Sequence, residues 1–150
     1  MGRHQEALKA YKEAIRLKPD SAEAHIGLGY AYAKGGRYQE AAESFKQAIG
    51  LKPNNAKAFY GLGWNYGEWG RYQEAVKAYR QAARLKPDHA YSHYALGWAY
   101  NKLGLHQEAL KAYRQALRVK ADYSDARQAL EWTQSVLGTN SSSQRVKDIR

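Results

Sequence analysis

The chain has 150 residues, 44% hydrophobic and 25% charged, a balance that excludes an intrinsically disordered protein. It has no cysteine, which excludes disulfides and thiolate chemistry, and no run approaches the ~20 apolar residues of a membrane span. Residues 1–6 lack the apolar core of a secretory signal, which favours a cytoplasmic location. The formal net charge of +10 makes nucleic acid, an anionic surface or an acidic protein a candidate partner.

The predicted elements follow a strict repeat, because the triplet Gln-Glu-Ala begins at equal intervals, at Gln5, Gln39, Gln73 and Gln107. A lone helix over residues 3–18 comes first. Three helix pairs follow, over residues 22–55, 56–89 and 90–123, and then a capping helix over 124–137. The polar, serine-rich stretch 138–150 has no periodicity and predicts a disordered tail.

Each repeat predicts a first helix, A, and a second helix, B. In the first repeat one face of helix A carries His25, Leu28, Gly29 and Tyr32. One face of helix B carries the small and aromatic residues Ala41, Phe45 and Ala48. Helix A is expected to end at Gly36, Gly70 and Gly104. Proline stops helix B, and the following residue is the expected cap of the next A helix, at Asp20, Asn54 and Asp88.

This pattern of aromatic-x2-Leu-Gly-x2-Tyr, Ala-x3-aromatic and proline resembles the tetratricopeptide repeat (TPR). The departures are His25 and His93 at an aromatic position and Ala121 at the proline position. The resemblance implies an all-α, right-handed superhelical solenoid of antiparallel helix pairs. In such a solenoid the A helices line a concave groove and the B helices cover the convex side. It also implies a scaffold that binds protein or peptide.

No arrangement of residues predicts catalysis, a cofactor or a metal. His4, His25, His93 and His106 stand at repeat positions where a structural role is expected. His89 and His93 could share a metal with Asp88, but a third clear ligand is lacking. The sequence therefore predicts a protein that is not an enzyme.

A second aromatic stripe lies outside the predicted core of the A helices, as in Tyr60 with Trp64 and Tyr94 with Trp98. Exposed tyrosine and tryptophan are typical of interaction hot spots. The alternative is that these rings pack on neighbouring A helices and merely fill the wall. The predicted partner-binding residues are Tyr30, Tyr60, Trp64, Tyr91, Tyr94, Trp98, Lys34, Lys57, Asn101 and Lys102.

The excess positive charge lies on the B helices, as a predicted basic convex ridge of Lys9, Lys12, Arg16, Lys46, Lys77, Arg80, Arg84, Lys111, Arg114 and Arg118. Such a ridge is either a solvated outer face or a binder of nucleic acid or an anionic surface, although it has few aromatics for base stacking. A third alternative is that the chain is the TPR segment of a larger enzyme or assembly factor.

TPR domains that grip the acidic C-terminus of chaperones use a clamp of charged and amide side chains. The matching positions here hold Ile26, Tyr30, Gly61, Tyr91 and Ala95, none of which is charged. The resemblance therefore does not imply an adaptor for chaperone tails.

The two ends of the predicted stack differ. The last helix carries Arg127, Glu131 and Gln134 where complete repeats have an aromatic residue or histidine, a glycine and a tyrosine, which predicts a polar cap. The first helix is expected to expose part of an apolar face formed by Ala7, Leu8, Tyr11 and Ala14. That face predicts either further repeats before Met1 or a weak homodimer through the N-terminal helix.

Overall fold

The computed structural model describes the backbone of residues 2–147 and the side chains of residues 2–138. This part of the chain forms eight α-helices and no strand. The helices are α1 (Gly2–Leu17), α2 (Ala22–Lys34), α3 (Tyr38–Leu51), α4 (Ala56–Glu68), α5 (Tyr72–Leu85), α6 (Ala90–Lys102), α7 (His106–Val119) and α8 (Ser124–Lys147). None of these helices is both long and apolar enough to cross a membrane.

The helices divide into two compact units, residues 1–87 with α1–α5 and residues 88–150 with α6–α8. In the first unit α2 pairs with α3 and α4 with α5, while α1 packs on α2 and α3 packs on α4. In the second unit α7 packs on both α6 and α8. Each complete repeat therefore supplies one helix pair, as the sequence predicts.

Glycine closes each A helix, which confirms the expectation for Gly36, Gly70 and Gly104. Their φ angles are 73°, 77° and 72°, a region that side chains with a Cβ rarely occupy. The amide after each glycine reaches back to a carbonyl of the last helical turn, as in the bond of 2.8 Å from Arg71 N to Tyr66 O. The tight turn brings helix B back along helix A.

The N-caps lie one residue later than predicted. Ser21 Oγ accepts the amide of Ala24 at 3.2 Å, and Asn55 Oδ1 accepts the amide of Ala58 at 3.2 Å. The reason is the preceding turn, in which Ser21 N donates to Lys18 O, so that Pro19 and the residue after it form the turn itself. His89 precedes α6 without capping it, since its Nδ1 lies 2.7 Å from Ser92 Oγ.

Aromatic rings of the B helices pack directly on glycines of the A helices. Phe45 is 0% exposed and lies between Gly29 and Gly61. A Cβ added to Gly29 would lie 2.9 Å from the Phe45 ring, and a Cβ on Gly61 would overlap that ring. Tyr79 packs in the same way on Gly63. The absence of side chains on one helix thus makes room for the largest side chains of the other.

The two ends differ in part from the predictions. The expectation that Leu8 is partly exposed is wrong, because α1 packs on α2 and leaves this side chain only 5% exposed. Tyr11 is 37% exposed, as expected.

Helix α8 continues to Lys147, whereas the sequence predicts a disordered tail from Gly138. No proline interrupts this stretch, and serine and asparagine weaken a helix without stopping it. Residues 148–150 lie outside the described residues.

Gly61→Ala should lower the free energy of unfolding by about 1–3 kcal/mol, because the new methyl group meets the fixed ring of Phe45. Gly50→Ala is the matched control, since Gly50 is an exposed helical position with no atom within 4 Å of an added Cβ. That substitution should raise the free energy of unfolding by about 0.5–1 kcal/mol. Urea unfolding measures both, and equal effects would contradict the packing described here.

Candidate functional site

A pocket of about 390 Å³ lies in the first unit, between α1, α2 and α4. Its wall is mainly apolar, and Gly27 gives the Tyr11 ring room to lie against α2. At its rim Lys57 Nζ donates to Glu23 Oε2 at 3.0 Å, and both side chains are largely exposed. The lining residues are Tyr11, Ala14, Glu23, Ala24, Ile26, Gly27, Tyr30 and Lys57.

Tyr30 joins this pocket to the core of the first unit. Its ring meets Phe45 edge-on, with centroids 5.1 Å apart, and lies 5.6 Å from the Trp64 ring. Burial, with a smaller effect of nearby Tyr60, raises the pKa of Tyr30 to about 12. The phenol, which is neutral at physiological pH even at the ordinary pKa of tyrosine, can both donate and accept a hydrogen bond.

Tyr60 and Trp64 are half-buried, each against a different helix. Tyr60 lies 5.5 Å from the ring of Tyr79 in α5, whereas Trp64 contacts Tyr30 in α2. These contacts agree in part with the alternative that the rings fill the wall between helices. Lys34 lies exposed in the last turn of α2, outside the residues that line the pocket.

A second aromatic cluster lies in the second unit. The Tyr123 ring is 5.1 Å from both Tyr91 and Tyr94, and Lys120 Nζ lies over the rings of Tyr91 and Tyr123. Tyr91 is 45% exposed and Tyr94 is half-buried. The structure thus gathers Tyr91 and Tyr94 with Lys120 and Tyr123, which the sequence analysis did not assign to the site.

Trp98 lies on the same helix as Tyr91 and Tyr94 and is half-buried. The ammonium of Lys102 lies 5.6 Å from its ring centre. Two of the predicted partner-binding residues, Trp98 and Lys102, are therefore in contact at the end of α6.

Asn101 turns its amide toward the neighbouring helices of the second unit, and its assignment to the groove stays a prediction. Its Nδ2 donates to Thr133 Oγ1 at 2.8 Å and to the Tyr113 hydroxyl at 3.2 Å. Its Oδ1 lies 2.9 Å from His106 Nδ1, which must then carry the proton. The sequence held a signal for this position, because the residue one repeat earlier is Gly67, which is small and buried.

Two exposed aromatic residues are absent from the predicted partner-binding residues, although Tyr11 is expected on the exposed face of the first helix. Tyr11, which lines the pocket, stands one repeat before Phe45 and packs on Gly27 as Phe45 packs on Gly61. Trp132 stands one repeat after Trp98 and is 56% exposed. The repeat spacing could have found both.

Within the described part of the chain, no three side chains of the types His, Asp and Glu are placed to hold a metal ion. His25 Nε2 instead lies 3.1 Å from Pro19 O, and His93 is buried.

The tetratricopeptide repeat model matches residues 1–56 and 60–126. The chain belongs to the tetratricopeptide repeat family. The helix pairs, the A–B turns and this match together confirm the predicted all-α, TPR-like solenoid fold. No curated protein sequence is similar enough to the chain to count as a relative.

Solved structures with the same fold include MamA, at 29% identity and a TM-score of 0.84 over 91% of this chain and 80% of that one. MamA from residue 41 of Desulfovibrio magneticus RS-1 has 24% identity and a TM-score of 0.83, covering 96% and 81% of the two chains. The first TPR of Spaghetti (RPAP3) bound to the HSP90 peptide SRMEEVD has 21% identity and a TM-score of 0.74, covering 78% and 93%.

Asn101→Ala should lower the free energy of unfolding by about 1–3 kcal/mol, because it removes the hydrogen bonds of this amide to His106 and to the buried Thr133. Lys102→Ala, at the next position, removes an exposed side chain and its contact with the Trp98 ring, and should change stability by less than about 1 kcal/mol. Thermal unfolding followed by circular dichroism compares the two. Equal stabilities of the two variants would contradict a structural role for the hydrogen bonds of Asn101.

Proposed function

We propose that the chain is a non-enzymatic interaction module that holds an extended segment of a partner protein against the aromatic surfaces of its A helices. TPR proteins are typically protein–protein interaction scaffolds. The observation that carries the proposal is the pocket between α1, α2 and α4, which is concave, mainly apolar and polar only at its rim. These are the properties of a site that takes side chains of a partner.

The volume of the pocket, about 390 Å³, suits a few side chains rather than a large cofactor. The partly exposed ring of Tyr11 offers apolar contact, and the Tyr30 hydroxyl offers a hydrogen bond. Because Glu23 and Lys57 form an exposed ion pair, their attraction stabilises the fold by little. Both side chains can therefore exchange this ion pair for contacts with a partner with little loss of folding free energy.

The surface of the second unit has the same character. Tyr91, Tyr94 and Trp98 supply aromatic area, with a lysine beside them at Lys102. Rigid aromatic rings give large contact area for little lost side-chain entropy. A partner segment could thus use Tyr or Trp contacts in either unit.

The Spaghetti TPR bound to an HSP90 peptide supports a peptide-binding role for this fold. The partner proposed here differs in chemistry. The positions of the charged clamp hold uncharged residues in this chain, so we propose apolar and aromatic anchoring of the segment in place of that clamp. These positions are Ile26, Tyr30, Gly61, Tyr91 and Ala95.

Binding of nucleic acid or an anionic surface through the outer B-helix faces receives less support. Arg16, Lys46 and Lys111 each pair with a glutamate of their own helix, which offsets part of the positive charge of the predicted ridge. A salt titration separates the two functions, since binding to phosphates weakens steeply with salt and aromatic anchoring does not.

Selection of a random peptide library displayed on phage should enrich peptides on the wild-type chain. Trp64→Ala should lower the affinity for the enriched peptides by about tenfold or more, because a tryptophan that contributes to an interface is a typical hot spot. Trp69→Ala is the matched control, since Trp69 is also partly exposed but lies at the turn after α4. Loss of binding in both variants, or no enrichment at all, would contradict the proposed function.

A weak homodimer through α1 stays a prediction, supported by the exposed ring of Tyr11 and the exposed Leu17. Tyr11→Glu should weaken association, because it places a charge on the apolar face of α1. Gln134→Glu, on the exposed polar face of α8, should leave it unchanged. Light scattering at high micromolar concentration measures the association, and a strict monomer in the wild type would rule the dimer out.

A further inference from the structure

Lys120 is a half-buried cation held by aromatic rings. It ends α7, and its Nζ lies 5.4 Å from the ring centre of Tyr91 and 5.5 Å from that of Tyr123. Nζ also donates to the Tyr91 hydroxyl at 3.4 Å. Among the described side chains no carboxylate lies within ion-pair distance of Lys120. Lys57, by contrast, forms an ion pair with Glu23. The rings hold the ammonium in place without neutralising it.

This arrangement is particular to the third repeat. Lys18, Lys52 and Lys86 stand at the same repeat position, but they are exposed, and the described cation–ring contacts do not include them. The difference comes from the two tyrosines, because Lys57 stands one repeat before Tyr91 and His89 one repeat before Tyr123. The need to end a helix with a cation explains a lysine at all four positions, but it does not explain the rings around Lys120.

The hydrogen bond from Lys120 uses only the acceptor side of the Tyr91 hydroxyl. A tyrosine hydroxyl has one proton and can accept as well, so accepting from Lys120 leaves its own proton free for a ligand. Tyr91 is 45% exposed, which makes that proton accessible. The cluster therefore offers two neighbouring donors, an N–H of an ammonium and a phenolic O–H, on an aromatic base.

Two neighbouring donors with a single positive charge match a carboxylate. A carboxylate accepts hydrogen bonds through two oxygens and carries one negative charge. A phosphate group carries nearly two charges and is typically held by several arginines, whereas the cation over these two rings is a single lysine. Charge complementarity thus favours an aspartate or glutamate side chain.

We propose that Lys120 and Tyr91 bind an acidic side chain of the partner segment, while the Tyr94 ring contacts an apolar part of the same segment. This inference rests on the proposed function and adds a requirement to it, an acidic residue within the bound peptide. The site differs from the charged clamp for chain ends because it has one cation, at the end of α7, and two tyrosines.

Asp125 opposes the incoming charge. It lies in the first turn of α8, close enough that its negative charge adds to the effect of burial in raising the pKa of Tyr94. An acidic ligand must therefore approach against this carboxylate. Removing the charge should strengthen binding, which gives the proposal a variant that gains affinity.

The first experiment repeats the phage selection on the wild type, on Lys120→Gln and on the matched control Lys52→Gln. Peptides in the interior of a displayed fusion have no free carboxyl terminus, so the selection reports acidic side chains. We expect an aspartate or glutamate at a fixed distance from an apolar residue in peptides selected by the wild type and by Lys52→Gln. This preference should be absent from peptides selected by Lys120→Gln.

The second experiment measures one selected peptide by calorimetry, together with its amide form, in which glutamine or asparagine replaces the acid. On the wild type the amide form should bind about tenfold more weakly, as expected for loss of a charge-assisted hydrogen bond. On Lys120→Gln the two forms should bind equally, and Lys120→Arg should restore the difference. Tyr91→Phe should reduce it, and Asp125→Asn should tighten binding of the acidic form. Circular dichroism verifies that each variant is folded.

The outcomes separate this inference from the proposed function. Peptides selected without any acidic position would overturn the inference and leave the proposed function standing. The same holds if the acidic preference persists in Lys120→Gln. Tighter, Lys120-dependent binding of a phosphoserine form would make the cluster a phosphate receptor and overturn the carboxylate proposal. If no peptide is selected at all, both fail.

Discussion

The close approach of an aromatic ring on one helix to a glycine on another is the contact on which the rest of the structure depends. Phe45 lies between Gly29 and Gly61 and so joins its own A helix to the next. Tyr11 on Gly27 and Tyr113 on Gly97 are the same contact elsewhere in the chain. Interiors are packed as densely as organic crystals, so a single methyl group at such a contact has nowhere to go.

This contact also determines which residues reach the surface. Because Gly27 has no side chain, Tyr11 lies flat on α2, and the space beside it becomes the pocket that Ile26 and Tyr30 line. The aromatic residues of the pocket are therefore extensions of the core rather than additions to it. Tyr30 shows this best, since one ring contacts both Phe45 in the core and Trp64 in the wall.

The sequence predicted what recurs and missed what does not. Helices, the glycine turns and the family all follow from the regular spacing of the repeat. The cap at Ser21 depends on how a proline turn uses its residues, and the role of Asn101 depends on His106 and Thr133, which meet it only in three dimensions. In the sequence Lys120 is equivalent to the lysines that end the other B helices, and only the structure places it against the rings of Tyr91 and Tyr123. The position of a residue in the repeat predicts its backbone conformation, whereas the contacts of its side chain depend on residues of neighbouring helices.

The hydrogen-bond network around Asn101 makes the order of the repeats matter. Asn101 comes from α6, His106 from α7 and Thr133 from α8, so the network is complete only when these three helices follow one another. A chain with the third repeat moved away from α8 would keep the aromatic contacts with glycine inside each repeat and the contact of Asn101 with His106, yet Asn101 would lose Thr133. The repeats are therefore not interchangeable at this end, because one polar side chain of the third repeat bonds to the helix that follows it.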